Sequence, residues 1–257
     1  MLNIGLVLPD VLGTYGDDGN ALVLRQRARM RGLDAEIHPI RLGEPVPETL
    51  DIYTIGGGED TAQILAAEHL IADGGLTRAA NSGRPILAIC AGLQVLGESF
   101  RASGRVIDGV GLIDATTAGM QDRAIGEVSS TPTGAGVTAD LTEPLTGFEN
   151  HLGATILGPT AQPLGTLTRG NGNADQAATA DLADGSTQRT YEGAVQGSVI
   201  ATYMHGPALA RNPQLADLLL AQAIGVSLAD LDPLDIPAVD RLRTERFNAA
   251  EPPRSQR

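Results

Sequence analysis

The amino-acid sequence predicts an α/β fold built on a mostly parallel central sheet with helices on both faces. Short apolar runs alternate along the chain with longer segments of helical periodicity, and several of these runs end directly in turn residues. Of the 257 residues, 42% are hydrophobic, which is enough for one sizeable core. We therefore expect a single domain over residues 1–250 and a disordered tail over residues 251–257, a polar segment with two consecutive prolines.

The first half of the chain carries the regular alternation. The apolar runs predict strands at residues 4–8, 35–40, 51–55 and 85–89. The segments that follow them predict helices at residues 21–31, 61–71 and 91–100, and Asn20 is a suitable N-cap for the first of these helices. This order is typical of parallel sheets, because each helix returns the chain to the start of the next strand.

The second half is less regular. The pattern predicts a strand and a turn at residues 106–113, a loop with weak strand character at 131–145, a strand at 195–204 and a helix at 213–224. Residues 169–189 combine glycine, asparagine, alanine and aspartate with little periodicity, so we expect a surface insertion there. The sequence contains no internal repeat or linker that would divide the domain.

Composition and charge exclude several classes of function. The 31 acidic and 18 basic side chains give a net charge of −13, which argues against a general nucleic-acid binder or a polybasic membrane anchor. Aromatic residues make up 3% of the chain and tryptophan is absent, so we expect no platform for stacking bases. The N-terminus has no signal-peptide pattern, and no apolar run reaches the roughly 20 residues of a membrane helix. These observations predict a cytoplasmic protein.

Cys90 is the only cysteine, which excludes an internal disulfide, a paired redox motif and a cysteine-rich zinc site. It lies between a predicted buried strand and a predicted helix. Such a turn lifts a side chain to the carboxyl edge of the sheet, where open α/β folds bind ligands. The small residues Ala91 and Gly92 leave room for a substrate to approach the backbone. From position alone, a buried core residue and a reactive thiol both remain open.

Two further strand ends carry groups that a reactive cysteine needs. Residues 56–58 are three glycines, which either present backbone N–H groups to an oxyanion or form a plain tight turn. His205 ends a later strand and is a candidate base for Cys90. His151 competes for that role, with a structural position in a turn as its alternative. The four histidines show no metal-binding spacing, so we expect no metal site.

Three stretches, taken in order, resemble class I glutamine amidotransferases. Residues 90–97 match the nucleophile elbow C-x-G-x-Q-x-L-G, residues 56–58 match the oxyanion-loop glycines, and residues 203–206 match the Y-x-H-G of the cobyric-acid-synthase-like branch. Residues 15–20, 122–127 and 147–151 carry a narrower resemblance, to the glutaminase subunits of lipid II isoglutaminyl synthases. The resemblance covers about residues 4–220 and implies the flavodoxin-like fold of class I enzymes.

The resemblance also implies a mechanism. Cys90 would attack the side-chain amide of L-glutamine and form a glutamyl thioester. His205 would take the thiol proton and return it to the departing ammonia. The backbone N–H groups of Gly57 and Ala91 would bind the oxyanion.

Two residues would hold the substrate itself. Gln94 lies one helical turn beyond the nucleophile and would face the polar end of glutamine, although a solvated helix position is its alternative. Arg123 matches the family position that binds the glutamine α-carboxylate, a task for which a guanidinium is well suited. Without the resemblance, nothing distinguishes Arg123 from the surface residues Arg101 and Arg105.

Pro207 marks a departure from the family pattern. Many class I enzymes carry a glutamate two residues after the histidine, where it orients the imidazole, and here that position is Pro207. Either a Cys–His dyad suffices or a carboxylate comes from elsewhere, with a partner subunit as one source. We therefore expect low glutaminase activity from the isolated chain.

Ammonia is useful only beside an acceptor, and the sequence has no Walker-type phosphate loop with which to activate one. The resemblance implies a partner, a Mur-ligase-like synthetase that uses ATP and Mg²⁺ to activate the α-carboxyl of D-glutamate in lipid II. Ammonia then converts it to D-isoglutamine. This chain itself would need no cofactor. We expect a cytoplasmic heterodimer, linked through the partner to the inner face of the membrane.

Other functions fit parts of the pattern. The glutaminase component of a cobyrinic- or cobyric-acid-type synthase is one, although such enzymes usually join the glutaminase to an ATP-binding domain on a longer chain. A non-catalytic module of the same fold would not need Cys90, Gln94 and His205 together. A cysteine hydrolase or peptidase would leave Gln94 and Arg123 without a role.

Overall fold

A computed structural model describes residues 1–174 and 191–248 of the protein. Within these residues the strands are β1 (Leu2–Val7), β2 (Ala35–Ile40), β3 (Ile52–Ile55), β4 (Ile86–Ile89), β5 (Ser99–Ala102), β6 (Arg105–Asp108), β7 (Ala115–Pro132), β8 (Leu145–Leu157), β9 (Gly165–Arg169), β10 (Tyr191–Glu192), β11 (Ala194–Gln196) and β12 (Val199–Thr202). The α-helices are α1 (Gly19–Met30), α2 (Asp60–Asp73), α3 (Gly75–Asn81), α4 (Ala91–Leu96), α5 (Ala208–Arg211), α6 (Pro213–Ile224) and α7 (Pro237–Asn248). None of the described helices is both long and apolar enough to cross a bilayer.

The first sheet has the strand order β2-β1-β3-β4-β12-β11. Its first five strands are parallel and β11 is antiparallel at one edge. Every residue of β4 is buried, as expected of a central strand covered by helices on both faces. Helix α1 packs with α5 and α6, whereas α2 packs with α4. The predicted mostly parallel sheet with flanking helices is confirmed.

The strand order reverses at β1, which determines where a ligand can bind. The chain first moves outward from β1 to β2 and then returns to place β3 on the other side of β1. At such a switch point the connections leave in opposite directions and open a crevice at the carboxyl edge of the sheet. The segments after β1, β3, β4 and β12 all reach this edge, because these four strands are parallel.

The second sheet is a feature that the sequence pattern does not predict. Its strand order is β10-β9-β7-β5-β6, and β8 pairs with β7 in a long antiparallel ladder. Strand β8 buries one face along its length, the odd-numbered residues from 145 to 155, while the other face is mixed: Phe148, Leu152 and Ile156 are exposed but Thr146 and Ala154 are buried. The exposed apolar residues of β8, and the glycines and polar residues of β7, obscure the alternation that marks a strand.

Several element boundaries differ from the prediction. Asn20 lies inside α1 and does not cap it: its Nδ2 donates to the carbonyl of Asp17 at 2.9 Å and its Oδ1 accepts from the amide of Leu209 at 2.9 Å. Helix α4 ends at Leu96 because Gly97 is extended, with φ −68° and ψ −175°. The predicted insertion at 169–189 lies within the described residues only up to 174, and the predicted tail lies outside them.

Glu192 is a fully buried carboxyl that ties the second sheet to the end of β12. Its Oε1 accepts hydrogen bonds from Oγ1 of Thr202 at 2.6 Å and from the amide of Tyr203 at 2.8 Å. Its Oε2 has no hydrogen-bond partner in the described structure. Burial raises the pKa of Glu192 from 4.5 to about 7, and the two hydrogen bonds offset only part of this effect.

The raised pKa of Glu192 makes the stability of the fold depend on pH. The folded chain binds this proton more tightly than the unfolded chain, so the stabilising contribution is complete below about pH 4.5 and is lost as the pH rises through about 7. Glu192→Gln keeps an oxygen acceptor for Thr202 and Tyr203 and cannot ionise. We expect the melting temperature of the wild type, relative to the variant, to fall by a few degrees from about pH 5 to about pH 8.

Thermal melts of both proteins across this pH range measure the effect. Glu68→Gln, which removes an exposed carboxylate from α2, is the matched control and should show no such trend. A difference in melting temperature between the wild type and Glu192→Gln that does not change with pH would contradict the prediction.

Candidate active site

Cys90 lies in a sharp turn between β4 and α4. Its backbone has φ 52° and ψ −104°, a conformation that residues other than glycine rarely adopt. The amide of Cys90 donates to the carbonyl of Thr202 at 2.8 Å, so the pairing of β4 with β12 continues up to the turn. The side chain is 5% exposed and lines a cleft. The strained turn therefore presents the thiol at the carboxyl edge of the sheet, as the sequence predicts.

The cleft beside Cys90 has a volume of about 290 Å³, near the lower end for small-molecule sites. Gln94 and His151 line it together with Cys90 and are buried, whereas Glu59 and Arg123 line it and are exposed. The cleft therefore has a buried end that carries the thiol and an exposed end that carries one acidic and one basic side chain.

His205 is buried next to Cys90. A Cβ atom built on Gly57 would lie 3.0 Å from Cε1 of His205 and 3.5 Å from Cβ of Cys90, so both side chains approach the same point. Nδ1 of His205 is 3.0 Å from each carboxylate oxygen of Asp17, and Nε2 makes no hydrogen bond within the described residues. Burial lowers the pKa of His205, but the hydrogen bond from Nδ1 to Asp17 and the electrostatic effect of the nearby Cys90 sulfur outweigh burial and raise the pKa to about 10.

Asp17 is the site residue that sequence reasoning did not single out. It lies in the loop after β1, and its fully buried carboxylate also accepts a hydrogen bond from the amide of Gly57 at 2.9 Å. The carboxylate that Pro207 leaves missing therefore comes from this chain, from the opposite end of the sequence. A signal was present, because Asp17 falls in the stretch 15–20 that carries the family resemblance and follows a predicted strand.

The glycine turn after β3 packs closely against these loops. A Cβ atom at Gly56 would lie 2.2 Å from the carbonyl oxygen of Leu12, so only glycine fits there. The amide of Gly57 donates to Asp17 and not to the cleft. No hydrogen bond is formed by the amide of Ala91 with the described residues, and Gly58 lines the cleft. The role of Gly57 and Ala91 as oxyanion donors stays a prediction.

Gln94 lies on the first turn of α4 and lines the cleft, as the sequence predicts. Its Nε2 donates to the hydroxyl of Tyr203 at 3.1 Å, and that hydroxyl lies 2.7 Å from Oγ1 of Thr155. A Cβ atom at Gly153 would lie 2.2 Å from the same Nε2, so a larger residue at 153 would displace the Gln94 amide. The second sheet therefore holds Gln94 in a fixed orientation.

Arg123 reaches the cleft because the ladder of β7 and β8 is irregular. Gly119 pairs with Gly153 and Ala124 pairs with residue 151, so residues 120–123 of β7 lie opposite Leu152 alone. Nη1 of Arg123 donates to Oδ1 of Asn150 at 3.1 Å. The irregularity turns this segment toward the exposed end of the cleft, where Arg123 is one of the lining residues.

The stretch 147–151, which lies within β8, contacts the segment that carries His205. A Cβ atom at Gly147 would lie 2.3 Å from Cβ of Met204, so β8 can approach this closely only at a glycine. The amide of Phe148 donates to the carbonyl of His205 at 3.2 Å, and the amide of His205 donates to the carbonyl of Phe148 at 2.8 Å. These contacts fix the backbone of His205 from the side of the second sheet.

His151, the competing histidine, has a structural role. Its Nδ1 lies 2.9 Å from the carbonyl oxygen of Gly153, and its Nε2 lies 3.7 Å from the carboxylate of Glu149. Its ring stacks on Tyr203 with 3.9 Å between centroids. His151 thus lies in a strand and not in a turn, with Nδ1 engaged by β8 and Nε2 without a hydrogen bond among the described residues. No three His, Cys, Asp or Glu side chains are placed to hold a metal ion anywhere in the described chain.

Comparison with known proteins agrees with this geometry. Two curated relatives are each named lipid II isoglutaminyl synthase (glutamine-hydrolyzing) subunit GatD. The Streptococcus pneumoniae protein is 33% identical over 227 residues, covering 87% of this chain and 80% of the relative. The Staphylococcus aureus protein is 32% identical over 225 residues, covering 86% of this chain and 84% of the relative.

More distant proteins match as well. The cobyric acid synthase of Sphingopyxis alaskensis is 30% identical over 72% of this chain, but the match covers only 34% of that longer protein. A solved glutamine amidotransferase structure superposes with a TM-score of 0.53 at 19% identity, covering 87% of this chain and 99% of that one, a likeness of fold alone. Residues 3–213, which include Cys90 and His205, match the CobB/CobQ-like glutamine amidotransferase domain, and the chain belongs to that family.

Proposed function

We propose that the protein hydrolyses L-glutamine at Cys90 and passes the ammonia to a partner enzyme. The observation that carries this proposal is the arrangement of three groups at one edge of the sheet. Cys90 lines the cleft, His205 lies beside it, and Asp17 holds the far nitrogen of His205 at 3.0 Å. A nucleophile, a base and a group that orients the base are what acyl transfer from an amide requires.

The reaction would proceed in two halves. Nε2 of His205 takes the thiol proton of Cys90, a transfer that its raised pKa favours, and Asp17 stabilises the resulting imidazolium while the sulfur adds to the amide carbon of glutamine. His205 then gives this proton to the amide nitrogen, the C–N bond breaks, and ammonia leaves a glutamyl thioester. Water loses a proton to His205 and adds to the thioester carbonyl. The C–S bond breaks, glutamate leaves, and the thiol regains its proton.

The tetrahedral intermediates carry a negative oxygen that needs donors. The amide of Ala91 directly follows the nucleophile and is unengaged within the described residues, which supports it as one donor. The amide of Gly57 is the second, once its hydrogen bond to Asp17 is exchanged for the oxyanion. Arg123 would bind the α-carboxylate of the substrate, and Gln94 would border its side chain at the buried end of the cleft.

A glutamine-like electrophile tests the proposed activity directly. Incubation with 6-diazo-5-oxo-L-norleucine should add one covalent group to the protein, at Cys90, because the thiolate displaces nitrogen from the diazoketone. Intact-mass and peptide mass spectrometry measure the adduct, with Cys90→Ala as the control that should stay unlabelled. Wild-type protein that forms no adduct at Cys90 would exclude the glutaminase and leave a non-catalytic module of the same fold.

Asp17→Asn should lower the rate of glutamate release by roughly 10²- to 10⁴-fold. The neutral amide can turn its NH₂ group to Nδ1 of His205, which leaves the ring proton on Nε2, where the thiol proton must be accepted. Loss of the carboxylate should also move the titration of His205, followed by NMR, to lower pH than in the wild type.

Asp18→Asn is the matched control for this variant. Asp18 is the next residue and has no hydrogen bond to His205, so its removal should leave both the rate and the titration near wild-type values. Equal losses in the two variants would show that Asp17 acts through the fold of the loop and not through His205.

For the acceptor, we propose the α-carboxyl of D-glutamate in lipid II, amidated to D-isoglutamine by a Mur-ligase-like partner that holds ATP and Mg²⁺. The names of two relatives, each matched over at least 80% of its own length, support this acceptor. The alternative, a cobyric-acid-type synthase, is supported less, because the match covers only 34% of that relative. The complex would be a cytoplasmic heterodimer that meets lipid II at the inner membrane face.

Co-purification with a Mur-ligase-like chain allows the acceptor to be tested. The pair, supplied with ATP, Mg²⁺, lipid II and glutamine labelled with ¹⁵N in its amide, should transfer the label to the lipid II stem peptide. Mass spectrometry of the stem peptide measures this, and a pair that contains Cys90→Ala should transfer none. Failure of an active pair to label lipid II would contradict this acceptor and leave the glutaminase assignment in place.

Low glutaminase activity in the isolated chain stays a prediction, but its cause changes. The orienting acid is present in this chain as Asp17, so a partner is not needed to supply it. The amide of Gly57, which is engaged by Asp17, is the group on which a partner would act. Glutamate release with and without the partner measures the dependence.

A further inference from the structure

The exposed end of the cleft carries two side chains, Tyr15 and Glu59, to which the proposed mechanism gives no role. Tyr15 is half-buried, and its ring lies 4.8 Å from the ring of His205, measured between centroids. Its hydroxyl donates a hydrogen bond to Oε1 of Glu59 at 3.2 Å. Arg123 also faces this region, and Tyr15, Glu59 and Arg123 all line the cleft that contains Cys90.

Tyr15 is the side chain that lies near both of the opposite charges. The electrostatic environment of its hydroxyl includes Glu59, Arg123 and Cys90, so all three groups lie within interaction distance of one side chain. The cleft that contains the Cys90 thiol thus also carries an anion, Glu59, and a cation, Arg123, near the hydroxyl of Tyr15. Free L-glutamine has the same pattern: its α-carbon carries an ammonium and a carboxylate, and its amide lies three bonds further along.

Glu59 is suited to bind a cation because its carboxylate is not committed elsewhere. It occupies the N-cap position of α2, with φ −83° and ψ 165°, yet its side chain makes no capping hydrogen bond. It is directed to Tyr15 instead. The neighbouring carboxylate differs, because Oδ2 of Asp60 accepts a hydrogen bond from the amide of Ser103 at 2.5 Å and holds that loop.

We propose that Glu59, oriented by Tyr15, binds the α-ammonium of free L-glutamine and selects the free amino acid over amides without that charge. The inference rests on the proposed glutaminase function and extends it to the identity of the specificity-determining residue. Arg123 then binds the α-carboxylate, so the two charged groups of the zwitterion are bound by two oppositely charged side chains. Glutaminyl side chains within peptides, whose α-nitrogen is an uncharged amide, would be rejected.

Two truncated substrates separate the two charges. Glutaramate has the amide and the carboxylate of glutamine but no ammonium, and 4-aminobutanamide has the amide and the ammonium but no carboxylate. Ammonia release is a common readout for all three compounds. Glu59→Gln is the informative variant, because it keeps an acceptor for the Tyr15 hydroxyl and removes only the charge. Arg123→Ala is the complementary variant, because it removes the positive charge instead. Glu68→Gln on the same helix α2 is the control.

For Glu59→Gln we expect the KM for L-glutamine to rise about 10-fold with kcat within about twofold of the wild type. Its constants for glutaramate should stay within about twofold of wild-type values. Arg123→Ala should show the reverse pattern, with a higher KM for glutamine and an unchanged KM for 4-aminobutanamide. If Glu59→Gln leaves the KM for glutamine unchanged, or raises the KM values for glutamine and glutaramate equally, the inference is overturned.

Calorimetric binding to Cys90→Ala distinguishes this inference from the proposed function. This variant should bind L-glutamine about 10-fold or more tightly than glutaramate, and Glu59→Gln in the same background should remove the preference. A wild type that releases no ammonia, with this binding preference intact, would contradict the hydrolytic function alone. A Cys90→Ala protein that shows no preference for glutamine would contradict the role of Glu59.

Discussion

The hydrogen bond between the Asp17 carboxylate and Nδ1 of His205 spans the carboxyl edge of the parallel sheet. Asp17 follows β1 and His205 follows β12, and the strands between them in the sheet are β3 and β4. Gly57 lies in the turn after β3, and Cys90 directly follows β4. Four consecutive strands therefore contribute one residue each to the site, and the bond from Asp17 to His205 joins the outermost two. A carboxylate buried this completely is stable only with such partners, so the edge is ordered as a unit.

The second sheet stabilises this edge from outside the parallel sheet. Strand β8 pairs with the backbone of His205 through Phe148, and Glu192 of β10 holds Thr202 and the amide of Tyr203 at the end of β12. The segment from the end of β12 to His205 is thus fixed along its length before any substrate arrives. Such preorganisation keeps the imidazole in place without a reorganisation cost during proton transfer.

The parallel sheet was predictable from the sequence, because its strands are mostly short apolar runs, and two of them, β3 and β4, are followed at the functional edge by a glycine turn and by Cys90. Cys90 and His205 could be paired for the same reason, since both follow strands. Asp17 could not be assigned to His205 from the chain alone, because its partner is 188 residues away and the strand order was unknown. The long strands β7 and β8 were missed because their one-sided burial is masked by glycines and by exposed apolar residues.

The irregular pairing between β7 and β8 has a consequence for how such a site can diverge. Residues 120–123 make no ladder with β8, yet the strands resume their register at Ala124. Side-chain substitutions in this segment therefore remove no ladder hydrogen bond between β7 and β8. The nucleophile, base and orienting acid belong to the rigid sheet edge, whereas Arg123 belongs to this segment without ladder pairing to β8. Proteins that share this fold can therefore differ in which ligand the exposed end of the cleft binds while they keep the residues that cleave the amide.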